Sequence, residues 1–205
     1  MHAENCEKCK KAVALCVCSE IKPQTTRTHV LILQHPQEPD HELGTALLAH
    51  HALPNSTLKI GLSWRNLKIL LGKNELDLNQ WVVLYLGSGI KNEPPQKSPL
   101  QFVSKKGMPL EPPKKIKGII LLDGSWSQAK TLWWRNAWLL KLPRAILKPT
   151  RPSLYGKLRK EPRRECLSTI ESIADTLDAL HESPQVSAHL RQLFVCLLEK
   201  YRHKK

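Results

Sequence analysis

Four cysteines open the chain as Cys6-x2-Cys9-x6-Cys16-x-Cys18, followed by the polar stretch 19–28. Two close pairs of thiolates can surround one tetrahedral Zn2+, and a short peptide can wrap such an ion without a core of its own. Redox thiols are the competing use, but a redox pair needs two cysteines and this segment has four. Lys8, Lys10 and Lys11 stand among them and would favour the thiolate form. Cys166 and Cys196 have no partner spacing. They are expected to be buried or incidental, Cys196 on the apolar side of a helix.

Three further polar clusters each follow an apolar run. They are Gln34-His35-Pro36-Gln37-Glu38, Gly87-Ser88-Gly89 and Asp123-Gly124-Ser125-Trp126. The last combines a carboxylate, a glycine that permits a tight turn, a hydroxyl and an aromatic plane, groups that can hold a small cationic or aromatic ligand. The structural alternative is an Asp that caps a helix starting at Ser127, with Trp126 in the core. His35 and Glu38 offer an acid and base pair or a satisfied turn. Gly87-Ser88-Gly89 lacks the remainder of a dinucleotide fingerprint, and the chain has no phosphate-binding Lys motif.

The elements that must position these groups read as an alternation. His29–Leu33, Leu58–Leu62, Trp81–Leu86, Gly118–Leu122 and Arg144–Lys148 are strand-like. Several are continuously apolar, as strands covered on both faces are. Thr45–Leu53 and Ser127–Trp138 read as helices, and the whole predicts an α/β fold. Ligands in open α/β sheets lie beyond the carboxyl ends of strands, where the three polar turns fall. Ser168-Thr169-Ile170-Glu171 has the capping-box pattern and starts a helix with Ile170, Ile173, Ala174, Leu177 and Leu180 on one face. A second helix starts at Ser183-Pro184, its apolar face running from Val186 to Tyr201. Trp133, Trp134 and Trp138 are expected to pack rather than stack on bases. Residues 91–117 hold six Pro and are expected to form a long surface loop.

At 205 residues the chain is expected to be one domain with an appendage, divided as a cysteine segment 1–28 and an α/β domain 29–205. Apolar residues at 41% and charged residues at 24% exclude a chain disordered throughout. The net charge of +14 is unevenly placed: residues 91–117 carry +5 and residues 141–165 carry +7. Clustered cations release counterions from a phosphate backbone, so a nucleic acid is the expected partner. Arg151, Tyr155, Lys157, Arg159, Arg163 and Arg164 combine cations with one aromatic, which suits phosphates and a stacked base. The N-terminus lacks a signal peptide's apolar run and no stretch is long enough to span a bilayer. A cytoplasmic protein with no membrane association is expected, in a compartment where thiols stay reduced.

Taken together, the four-cysteine spacing, Gln34-His35-Pro36-Gln37-Glu38 with Gly44-Thr45-Ala46, Gly61-Leu62-Ser63-Trp64-Arg65, Asp123-Gly124-Ser125-Trp126 and Leu167-Ser168-Thr169-Ile170-Glu171 resemble the DTW-domain family. Ser125 stands where the family motif has Thr, so the hydroxyl is kept and a methyl is lost. The resemblance implies a tRNA-uridine aminocarboxypropyltransferase with a SPOUT-like, mostly parallel sheet, knotted in the C-terminal half. It implies S-adenosylmethionine as co-substrate, held by Gln34, His35, Gly44, Thr45, Gly87, Ser88, Gly89, Leu122, Ser125 and Trp126. Asp123 would act as general base or as anchor of the donor's ammonium. Two rivals remain from sequence: another S-adenosylmethionine-dependent enzyme acting on ribosomal RNA, a methyltransferase included, and a zinc-dependent RNA-binding protein without activity. The polar crevice at the strand ends speaks against the second.

Overall fold

The apolar run from His29 forms a strand, β1 (His29–Gln34), inside a six-stranded sheet in the computed structural model, which describes residues 5–84, 99–104, 106, 108–149, 151–156, 158 and 167–204. The other strands are β2 (Ser56–Ile60), β3 (Trp81–Leu84), β4 (Leu100–Val103), β5 (Gly118–Asp123) and β6 (Arg144–Leu147), in the order β2-β1-β5-β3-β6-β4. All neighbours are parallel except β4, which runs antiparallel to β6 at the edge. The five expected strands are thus present, each within two residues of its expected start and with Tyr85 and Leu86 outside the described residues.

β4 is a correction. The segment expected to be only loop contains this strand, and Leu110 N–H closes back onto Phe102 O at 2.9 Å. Four residues with apolar ends suffice at an edge, where prolines beside the strand cost no ladder bond on the solvent side.

Side chains alternate across β1 and β5, and each face has its own core. Val30, Ile32, Ile119 and Leu121 pack with α1 (Ala46–Ala52), α4 (Thr169–Ala179) and α5 (Pro184–Lys204). Leu31, Leu33 and Ile120 pack with α2 (Leu67–Leu71), Trp81, and Trp133 of α3 (Trp126–Arg135). Burial on both faces is what the unbroken apolar runs require. The cysteine segment joins the first core: Leu15 and Val17 are fully buried among residues of α1 and α5. Among the described residues no helix is long and apolar enough to cross a membrane.

α4 starts where expected, with both halves of the Ser168/Glu171 capping box formed. α3 starts one residue early because Ser125 is its cap, reciprocated by Gln128. It stops at Arg135, before the expected Trp138. Asn136 donates its side-chain amide to Leu132 O at 2.8 Å, and a 3-10 turn, Ala137–Lys141, follows.

Glu182, in the turn between α4 and α5, ties the chain just ahead of β1 into the fold. Its carboxylate accepts from Thr28 N at 2.9 Å, Thr28 Oγ1 at 2.8 Å and Arg27 N at 3.2 Å. Burial pushes the carboxyl upward, but the Thr28 hydroxyl and the two amides outweigh it and hold the group below 4.5. A folded-state value below the unfolded one adds stability above about pH 4.5, which is lost as pH falls through the folded value. Glu182→Gln is therefore expected to lower the thermal midpoint by a few degrees at pH 7, the difference from wild type shrinking as pH falls below about 4.5 toward the folded value. Melting curves across pH 3 to 7 check this.

Candidate active site and metal centre

Parallel pairing of β1 with β5 sets Gln34 directly beside Asp123 at the carboxyl ends of both strands. The Gln34 amide donates to Asp123 Oδ2 at 2.8 Å, and the Thr169 hydroxyl, on the first residue of α4, donates to Oδ1. Asp123 is 8% exposed. Two donors and the amino end of an 11-residue helix surround it, all of which stabilise negative charge at that point. Asp123 does not cap α3; Ser125 does, which leaves the carboxylate facing Gln34 and Thr169.

The turn around Asp123 is tightly knit. His35 N donates to Asp123 O at 2.9 Å, and the Gln128 side chain bridges Ser125 N at 2.6 Å and Gln37 Oε1 at 3.2 Å. A Cβ on Gly124 would stand 2.9 Å from that of Gln128 and 3.4 Å from that of His35, so only glycine lets β5 turn into α3 this close to the loop after β1. His35 and Glu38 form a turn: Nδ1 accepts from Gln37 N at 3.3 Å and Glu38 N donates to His35 O at 3.0 Å. Gly44 closes the same loop onto His41 O, and the buried Thr45 accepts at Oγ1 from Ile170 N at 3.1 Å, drawing α1 against α4.

The structure thus gathers Gln34, His35, Thr45, Asp123 and Ser125 at one end of the sheet. Leu122 packs instead toward the second core, and Trp126 is half-buried at the start of α3. Gly87, Ser88, Gly89, Lys157, Arg159, Arg163, Arg164 and Cys166 lie outside the described residues. Arg151 is exposed. Tyr155 is a correction: it is 2% exposed, edge-on to Phe194 at 4.9 Å between ring centres, with its hydroxyl donating to Leu43 O at 3.1 Å. An aromatic surrounded by charged neighbours in sequence is here a core residue, unable to stack on a base.

Two participants escaped the sequence reading. Thr169 lay inside a motif read as a helix cap and as part of the family resemblance, with no role at the site, and Glu171 does more than close that cap. Its carboxylate also accepts from Ser153 Oγ at 2.9 Å and Leu154 N at 2.7 Å, fixing residues 153–155 against α4. A cavity of about 470 Å³ lies at the opposite end of the sheet, lined by His29, Trp81 and Lys117 among others, and takes no part in this constellation.

The Sγ atoms of Cys6, Cys9, Cys16 and Cys18 lie within 4.8 Å of one another, and those of Cys6 and Cys18 are 3.8 Å apart. Four thiolates about 2.3 Å from a common ion would have nearly this mutual spacing, so the donor set fits a tetrahedral Zn2+. Backbone N–H groups of Cys9 and Lys8 pull the Cys6 thiol down to about 6. Burial pushes Cys9 and Cys18 up, and the crowding of neighbouring thiols raises Cys18 further. Ionising the set without a cation is costly; a bound divalent ion removes that cost. The lysines matter differently from the expectation. Lys11 is buried, which pulls it down to about 8, and donates to Glu42 O at 2.8 Å and His41 O at 3.4 Å, bracing the loop between β1 and α1.

Among known proteins, the DTW domain matches residues 3–202. The chain belongs to the DTW-domain family. It is 30% identical over 189 residues to tRNA-uridine aminocarboxypropyltransferase 2 of Mus musculus, covering 89% of this chain and 59% of that protein. Identity to tRNA-uridine aminocarboxypropyltransferase 2 of Drosophila melanogaster is 31% over 201 residues, 93% of this chain and 70% of the relative. It is 24% over 215 residues to tRNA-uridine aminocarboxypropyltransferase A of Arabidopsis thaliana, 96% and 79% respectively. This DTW chain thus spans about three fifths of its mouse relative's length. No solved structure matches it. Asp123-Gly124-Ser125-Trp126, the variant of the DTW motif in this chain, forms the turn at the centre of the site.

Proposed function

We propose that this chain transfers the 3-amino-3-carboxypropyl group of S-adenosylmethionine to N3 of a uridine in tRNA, releasing 5'-methylthioadenosine. The observation that carries the reading is the buried Asp123, held by Gln34 and Thr169 at the strand ends, in a chain whose relatives are named tRNA-uridine aminocarboxypropyltransferases. N3 attacks the γ-carbon of the donor's amino-acid arm, the carbon–sulfur bond breaks with its electron pair going to sulfur, and the imide proton is lost. The sulfonium is already a good leaving group, so alignment of nitrogen, carbon and sulfur is the protein's main task. Asp123 either accepts the imide proton or holds the donor's ammonium. Surroundings that stabilise its negative charge favour the anchor role.

The remaining assignments follow from the same reading. Gln34, His35, Gly44, Thr45, Ser125 and Trp126, with the backbone of Leu122, frame the donor together with Gly87, Ser88 and Gly89, and Arg151, Lys157, Arg159, Arg163 and Arg164 meet RNA phosphates. The mostly parallel sheet is SPOUT-like and knotted in its C-terminal half; support comes from β5 lying between β1 and β3. Cys6, Cys9, Cys16 and Cys18 hold a structural Zn2+ that fixes the conformation of residues 1–28, which pack on the catalytic domain 29–205 through Leu15 and Val17, in the reducing cytoplasm.

The co-product tests the function. Incubation of the purified protein with S-adenosylmethionine and unmodified tRNA is expected to release 5'-methylthioadenosine in step with RNA modification. Release of S-adenosylhomocysteine instead would make it a methyltransferase.

A further inference from the structure

The helix that leaves the Asp123 turn carries an aromatic side chain with no packing role. On α3, Ala129, Leu132 and Trp133 are buried, whereas the next residue, Trp134, is 73% exposed. Lys130 and Ser127 are exposed on the same stripe, one and two turns nearer the site, and exposed Arg135 follows. From Gly124 to Lys160 the chain has nine Lys or Arg and no Asp or Glu. Trp134 lies about 13 Å along the helix axis from the Ser125 cap, at a rise of 1.5 Å per residue.

We propose that Trp134 is a stacking platform for an unpaired base of the tRNA, a few nucleotides from the uridine delivered to Asp123. A tryptophan plane in water is a waste of apolar surface unless a flat partner covers it, and bases supply such partners whatever their sequence. The flanking chemistry selects RNA over a protein. Exposed Lys130 stands one turn before Trp134 and exposed Arg135 directly after it, no carboxylate on α3 repels a phosphate, and this pairing of a cation with an aromatic is how single-stranded RNA is held. The stripe begins at the DTW turn, so a strand laid along it is led to the site. This rests on the reading of the chain as a tRNA-modifying enzyme.

The test measures the affinity of an unmodified tRNA transcript for wild type, Trp134→Ala, Trp134→Phe and Lys130→Gln over a series of salt concentrations, with S-adenosylmethionine affinity and sedimentation alongside. Trp134→Ala is expected to weaken RNA binding roughly 5- to 100-fold, the range of one base–aromatic stack, with an unchanged salt slope. Lys130→Gln should reduce that slope by about one phosphate contact. Trp134→Phe should recover most of the affinity, and donor affinity should stay at wild type throughout. Unchanged RNA affinity in Trp134→Ala, no rescue by Phe, or a Trp134-dependent dimer would each overturn the proposal. A wild type that modifies tRNA while Trp134→Ala binds it equally well loses only this inference. A wild type that binds RNA through Trp134 yet transfers nothing loses only the proposed function.

Discussion

Asp123→Asn is expected to lower the rate of the proposed transfer about 10²- to 10⁴-fold, the range lost with a positioned acid–base group, while the folded state survives. The substitution keeps the shape and the hydrogen-bonding capacity of the side chain. An Asn amide can donate to Thr169 Oγ1, and its carbonyl can accept from Gln34, the two partners that hold the carboxylate in wild type. What it removes is the negative charge. Thermal midpoints within a few degrees of wild type, together with the loss of turnover, would separate chemistry from stability. The donor's affinity then separates the two roles. An ammonium anchor loses binding to S-adenosylmethionine along with turnover, whereas a general base loses turnover at unchanged donor affinity. Full turnover with unchanged affinity would remove both. Thr169→Val complements the experiment: it deletes one donor to Asp123 and is expected to reduce turnover less than Asp123→Asn does.

Removal of metal from the cysteine cluster has the second largest expected effect, on the whole molecule rather than on its N-terminus. Leu15 and Val17 are fully buried in the core that includes Phe194 and Leu48, and they are held there by a peptide with little regular structure. Freeing that peptide exposes two side chains worth about 1.5–3 kcal/mol each. For a chain of this size that corresponds to a fall in thermal midpoint of roughly 6–24 °C. Lys11 also releases the carbonyls of His41 and Glu42, so donor affinity should weaken along with stability. Metal analysis should find one zinc per chain. Melting with and without a strong chelator should show the drop, and Cys16→Ser combined with Cys18→Ser should reproduce it and be insensitive to chelator. A metal-free protein with an unchanged midpoint would leave the cluster without its structural role.

How much of this was legible in the residues follows from the range of each interaction. β1, β5 and the starts of α4 and α5 were readable because continuous apolar runs and capping pairs are local signals. β4 was not, since six prolines and seven lysines within residues 91–117 drown a four-residue strand. The Asp123–Thr169 bond joins residues 46 apart and arises only when β5 and α4 meet; no spacing rule encodes it. Tyr155 was misread because its neighbours in sequence are charged while its neighbours in space are Leu43 and Phe194. Trp134 was misread although the signal existed. Ala129, Leu132 and Trp133 occupy one face at helical spacing, and Trp134 falls off it. Asn66 and Gly72, which cap α2 at its two ends, were a second unread signal.

The most direct measurement offers purified protein and unmodified tRNA S-adenosylmethionine labelled either at the carboxyl carbon or at the methyl group, in parallel reactions. The account predicts that label reaches the RNA from the carboxyl-labelled donor alone and is located on uridine, and that Asp123→Asn slows its arrival about 10²- to 10⁴-fold. Label from the methyl-labelled donor alone, or from neither, would contradict it.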